Sequence, residues 1–141
     1  MKRITYMILL SCSLLLGVNT LCLAEVAVIM KASVTESADI NDIQKIFLGK
    51  SKSLPSGYKV TPVALAEGHP IRELFNDKVL EKSDSQLKSY WAKLIFTGKG
   101  RPPKELPSDE EVIAEVNADP SVMGYIDAQN VTADVKVLLK F

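Results

Sequence analysis

Cysteine is almost missing from this chain. Of 141 residues only Cys12 and Cys22 carry a thiol, and both fall within the first 24. Taking 24 from 141 leaves 117 residues without cysteine, which excludes a disulfide framework, a thiol nucleophile and a thiolate metal site there. Histidine and tryptophan occur once each, so His69 has no second imidazole with which to share a metal. Net charge is absent as well: 17 basic residues balance 17 acidic ones. That balance argues against a nucleic-acid partner, and an apolar fraction of 47% argues against a disordered tail. One domain is the natural count.

What is present begins with an export signal. Lys2 and Arg3 precede an almost uncharged stretch from Ile4 to Leu23, and Ala24 supplies the small residue before Glu25. This pattern predicts a signal peptide over 1–24 and a periplasmic or secreted domain over 25–141. The alternatives are a retained anchor, or a lipoprotein acylated at Cys12 after Leu9-Leu10-Ser11. Without the leader the chain carries 15 basic and 17 acidic residues and must fold on its apolar core alone.

Val26 to Met30 is an unbroken apolar run, the mark of a strand covered on both faces. A helix is predicted over about 41–48, with Asn41 and Gln44 as its capping pair and Gly49 at its end. Tyr58 to Leu65 reads as a strand in which Pro62 demands an edge position or a break. Pro70 suits a helix start, with Ile71, Leu74, Phe75 and Val79 recurring at helical spacing. Ser83 and Gln86 form a capping box for a third helix, whose stripe Leu87, Tyr90, Trp91, Leu94 and Ile95 would carry most of the aromatic core. Thr97 to Pro107 reads as an irregular loop. Ser108 with Glu111 opens a fourth helix that stops at Asp119-Pro120; strands follow at 124–126 and 131–141. The order predicts an α/β fold with helices packed on a sheet.

No catalytic constellation emerges, so the chain reads as a non-enzyme without a cofactor. Gly49-Lys50-Ser51 lacks the preceding glycine of a phosphate loop, because position 44 is Gln. Asp109, Glu110, Glu111 and Glu115 suit the first turn and polar face of a helix better than a hydrolytic pair. No serine stands in a G-x-S-x-G context. Asn130-Val131-Thr132 fits a glycosylation acceptor wherever the host uses one. Two segments remain as a candidate anion site. Gly68, His69, Ile71 and Arg72 surround a helix start, where backbone N–H groups favour an anion. Thr97, Gly98, Lys99, Gly100 and Arg101 combine cationic and hydroxyl side chains with a Gly-rich backbone.

Ile46-Phe47-Leu48-Gly49-Lys50, Tyr90-Trp91, Ile95-Phe96-Thr97-Gly98-Lys99-Gly100, Asp119-Pro120 and Gly124-Tyr125-Ile126 together resemble the small standalone proteins related to the phosphate-binding component of ABC transporters. The resemblance runs from about Glu25 to Phe141. It implies a periplasmic-binding-protein-like single lobe, a mixed sheet with helices packed on it, and a small oxyanion as ligand. Full-length members of that family have a Ser-Gly-Thr helix start with an Arg four residues before the Ser. The corresponding positions here hold His69, Pro70, Ile71 and Leu65, so the resemblance implies at most weak phosphate binding. The alternative is a periplasmic interaction module that meets a membrane sensor or transporter component through 97–104, with no small ligand.

Overall fold

The computed structural model describes residues 23–141. Most of the expected signal peptide, and the alternative acylation site at Cys12, lie outside the described residues. Strand β1 (Val26–Lys31) sits where the apolar run predicts it, and Val26 through Met30 are completely buried. Each of its larger side chains contributes roughly 1.5–3 kcal/mol by leaving water. Four further strands complete one sheet: β2 (Thr61–Leu65), β3 (Lys104–Leu106), β4 (Val122–Asp127) and β5 (Val135–Lys140).

Their spatial order is β3-β2-β4-β1-β5. The first strand therefore lies between the last two, antiparallel to both, while β2 runs parallel to β3 and β4. This is the mixed sheet the resemblance implied. Pro62 occupies an interior strand without breaking it. Thr61 and Leu65 direct their N–H groups toward the β4 side and Ala66 toward β3, so the ring nitrogen of Pro62 faces β3, whose pairing begins only at Val63. The missing donor thus falls on a local edge, where it costs no ladder bond.

The helices are α1 (Ile40–Phe47), α2 (Pro70–Phe75) continuing into a π-helical turn at Asn76–Leu80, α3 (Asp84–Phe96) and α4 (Asp109–Ala118). Ser83 and Gln86 cap α3 reciprocally as expected; at α4 the expected capping box of Ser108 with Glu111 forms by half, Ser108 accepting the N–H of Glu111 without a return bond from the Glu111 side chain. Helix α1 differs: its capping box is Asp39 with Asp42, not Asn41 with Gln44, and Gln44 instead reaches the carbonyl of Val79 at 3.0 Å. Asp39 is the cap because the helix begins at Ile40, which places Asn41 inside its first turn; the Asp39–Asp42 bonds are 2.8 and 3.2 Å.

Two expectations about α3 are corrected. The aromatic core is Phe47, Phe75 and Tyr125, with Phe75 and Tyr125 stacked at 3.9 Å; α3 adds only Trp91 and Leu87 as buried members. Ile95 is 54% exposed and Phe96 93% exposed, because the apolar stripe runs on past the body of the domain. The segment 97–107 is also not wholly irregular, since β3 forms in it against β2. Strands β2 and β5 are shorter than predicted, beginning at Thr61 and Val135, and β4 is longer.

Gly124 marks a close approach of helix to sheet. A Cβ there would lie 2.5 Å from Val112 Cγ1 and 3.2 Å from Val63 Cγ2, so α4 reaches the sheet only because position 124 has no side chain.

Candidate functional site

The helix start of the sequence-based site is built from Gly68, with φ of +85°, His69 and Pro70. His69 caps α2 through Nδ1, which accepts the N–H of Ile71 at 3.2 Å. Its proton in the neutral form therefore resides on Nε2, 3.9 Å from Asp109 Oδ1. Asp109 is buried at the start of α4. One of its oxygens accepts from Asp127 N at 3.0 Å and Asn130 Nδ2 at 2.7 Å, while Oδ1 has no hydrogen-bond partner among the described residues. His69 thus bridges two helix starts. Pro70 has no N–H and that of Ile71 is taken, so α2 offers few donors to an anion.

Arg72 is likewise committed. Its guanidinium donates to the carbonyl of Leu65 at 2.8 Å, to Asp84 Oδ1 at 3.0 Å and to Glu105 Oε1 at 2.5 Å. Burial works against its charge, but Glu105 and Asp84 outweigh that and raise its pKa further. The geometry is that of a strut tying α2 to α3 and β3. Asn76, buried beside it, adds a bond to Asp84 at 2.9 Å. Sequence reasoning had no signal for Asp84 or Glu105, which lie far from Arg72 along the chain.

The other segment, Thr97 to Arg101, opens with the end of α3. Gly98, at φ of +69°, donates to Ile95 O, and Lys99 N donates to Leu94 O, which closes the helix in a Schellman turn. The same turn ends α1, where Gly49 at φ of +68° donates to Ile46 O and Lys50 to Lys45 O. Thr97 Oγ1 turns back onto Lys93 O at 2.9 Å. The backbone N–H groups of Gly98 and Lys99 are therefore spent on the helix, leaving the exposed side chains of Lys99 and Arg101 as the segment's available cations.

Two concavities flank Trp91, Pro102 and Pro103, which line both. The larger, about 290 Å³, is mostly apolar, walled by Phe75, Leu80, Leu87 and Ile95, with Arg72 and Glu105 at one side. The smaller, about 230 Å³, holds Arg101 together with Lys52 and Lys104. Arg72 and Arg101 thus border different concavities. Tyr125 reaches the larger one; burial pushes its phenol well above the usual range, and its hydroxyl accepts the N–H of Leu65 at 3.3 Å. Among the described residues no cluster of three His, Cys, Asp or Glu side chains could hold a metal, and no helix is long and apolar enough to cross a membrane.

No family model and no curated protein matches this chain. Its fold does match solved structures. A structure from Clostridium perfringens, described as a phosphate ABC transporter substrate-binding protein with bound phosphate, aligns at a TM-score of 0.65 over 82% of this chain and 44% of that one, with 15% identity. An ABC-type phosphate transport receptor from Vibrio cholerae aligns at 0.63 over 82% of this chain and 45% of that chain, with 13% identity. PstS from Borrelia burgdorferi aligns at 0.55 over 74% and 41%, with 13% identity. The chain therefore has the α/β fold of phosphate ABC transporter substrate-binding proteins and spans less than half the length of those it matches.

Proposed function

We propose that this chain is an exported, non-enzymatic binding domain of the substrate-binding-protein type that takes a small oxyanion with low affinity, its leader removed after Ala24. The observation that carries the weak affinity is the commitment of Arg72 to Leu65, Asp84 and Glu105. With that guanidinium already neutralised, an anion near 97–101 meets mainly Lys99 and Arg101, and one near 68–72 meets little beyond the outer edge of His69. Charge-assisted hydrogen bonds are worth about 1.5–3 kcal/mol each, so few of them give a Kd of about 0.1 mM or weaker. Calorimetry with phosphate and sulfate at two salt concentrations tests this, on the wild type and on a Lys99→Ala, Arg101→Ala double variant. Submicromolar phosphate affinity would overturn the reading. Intact-mass measurement of the exported protein tests the leader, with Glu25 as the expected first residue.

A second reading, an interaction module for a membrane sensor or transporter component, is favoured by one feature. Ile95 and Phe96 stand exposed beside the apolar concavity, at a site where burial of neither stabilises the fold. Absence of any oxyanion heat in the titrations would place that reading ahead.

A further inference from the structure

We infer that the smaller concavity is a subsite for an organic oxyanion, with the anionic head on Lys52, Arg101 and Thr61 and an apolar portion against Trp91. The inference rests on the binding-domain reading above and moves the head away from the α2 helix start.

The ends of α1 and α3 create the place. Trp91 lies under the Schellman turn of α1, where a Cβ at Gly49 would be 3.1 Å from the indole Cη2, and beside the chain leaving α3, where a Cβ at Gly100 would be 3.7 Å from Cζ3. Tyr90, next to it, donates its hydroxyl to Leu48 O at 2.6 Å and fixes α3 against the end of α1. The ends of α1 and α3 therefore converge on one indole edge, and the chain leaving each carries cations into the groove: Lys52 after α1, Arg101 and Lys104 after α3. No acidic side chain lines it.

Helix C-termini repel anions when their carbonyls are unpaired, and basic residues near them commonly compensate for that. Here most of those carbonyls are already used. Gln44, Lys45, Ile46 and Leu48 at the end of α1, and Lys93, Leu94 and Ile95 at the end of α3, all accept hydrogen bonds. The cations are thus surplus to capping. Lys52 and Arg101 have no ion-pair or hydrogen-bond partner for their side chains among the described residues, in contrast to Arg72. Lys104 pairs with Glu115 at 3.0 Å, an exposed bridge of the kind that contributes little and can be shared with a ligand. Pro102, Pro103 and Pro62 supply rigid apolar walls around the indole edge. At about 230 Å³ the groove suits an oxyanion head with one small apolar group and no larger ligand.

The test uses the single tryptophan of the chain as reporter. Phenyl phosphate, inorganic phosphate and phenol are titrated into the protein while Trp91 emission and calorimetric heat are followed. Phenyl phosphate is expected to bind about tenfold tighter than either of the others and to change the emission, and Lys52→Ala is expected to weaken it about fivefold. A Lys52→Ala, Arg101→Ala double variant should lose it altogether while melting as the wild type does. Inorganic phosphate binding with no gain from the phenyl group, or an affinity unchanged by Lys52→Ala, overturns the subsite and leaves the oxyanion-binding domain standing. No heat with either phosphate overturns both.

Discussion

Replacing Gly124 by alanine adds one methyl group at the point where α4 comes closest to the sheet. The new carbon would sit 2.5 Å from Val112 Cγ1, about 1 Å or more inside the ordinary carbon–carbon distance of about 3.5–4.0 Å, and 3.2 Å from Val63 Cγ2. Neither valine can swing away, because Val112 and Val63 are buried, with Val116 packed 3.7 Å from the same position. Alanine gains about 0.4–1 kcal/mol by restricting the unfolded chain, and Gly124 has no positive φ for it to strain. Overpacking costs about 1–3 kcal/mol and outweighs that gain, for a net loss of about 1–2 kcal/mol. Urea melts followed by Trp91 emission measure it. The decisive assay is the double-mutant cycle with Val112→Ala. Removing two methyl groups from Val112 alone costs at least about 1.6 kcal/mol. In the Gly124→Ala background the added carbon occupies part of the vacated space, so the double variant should recover about 1 kcal/mol relative to additivity. A neutral or stabilising Gly124→Ala, or strict additivity with Val112→Ala, would refute the claim that this glycine sets the helix-to-sheet distance.

Trp91→Ala should cost about 3–5 kcal/mol, since it empties the site between Gly49 and Gly100; a loss below about 1 kcal/mol in denaturant melts would refute that packing. Arg72→Met should lose about 1.5–3 kcal/mol by leaving Asp84 and Glu105 without their partner, yet change phosphate affinity less than about twofold; a large affinity loss in calorimetry would return Arg72 to the ligand site. Alkaline stability follows from Tyr125. Its folded pKa lies above the unfolded value near 10, so its contribution is complete below about pH 10 and falls as pH rises further, by up to about 1.4 kcal/mol per pH unit. Tyr125→Phe should flatten that decline in melts between about pH 9 and 11, and an unchanged slope would show that the phenol ionises freely in the fold.

The residues that carry the family resemblance turn out to specify architecture. Gly49 and Gly98 close helices, Tyr90 and Trp91 dock α3 on the end of α1, and Gly124 lets α4 approach the sheet. Such positions are legible in a sequence because their chemistry is local or their geometry admits one residue type. The caps of α3 and α4, the proline start of α2 and the covered β1 were readable for the same reason. The helical stripe misled at Ile95 because periodicity reports a face and not how far a neighbour extends along it. Strand β3 was hidden since three residues between prolines have no pattern of their own; their pairing with β2 is entirely tertiary. The candidate site was legible only as a set of residue types. Whether Arg72 is free depends on Asp84 and Glu105, and whether Lys52 meets Arg101 depends on two helices ending against one indole.

The place of β1 bears on how such a chain comes to be folded at all. Its hydrogen-bonding neighbours are β4 and β5, and Val26 exchanges bonds with Phe141, so the earliest strand is completed by the latest residues. A polypeptide delivered from its N-terminus exposes the run Val26 to Met30 to solvent until β4 and β5 have emerged. That run is uncharged, rich in β-branched residues and free of proline, the composition that self-associates when left unpaired. Closing so long a loop also slows folding relative to a domain built from local contacts. The interval between emergence of β1 and arrival of β4 is therefore when this run is most open to self-association, and variants that slow the closing step lengthen that interval.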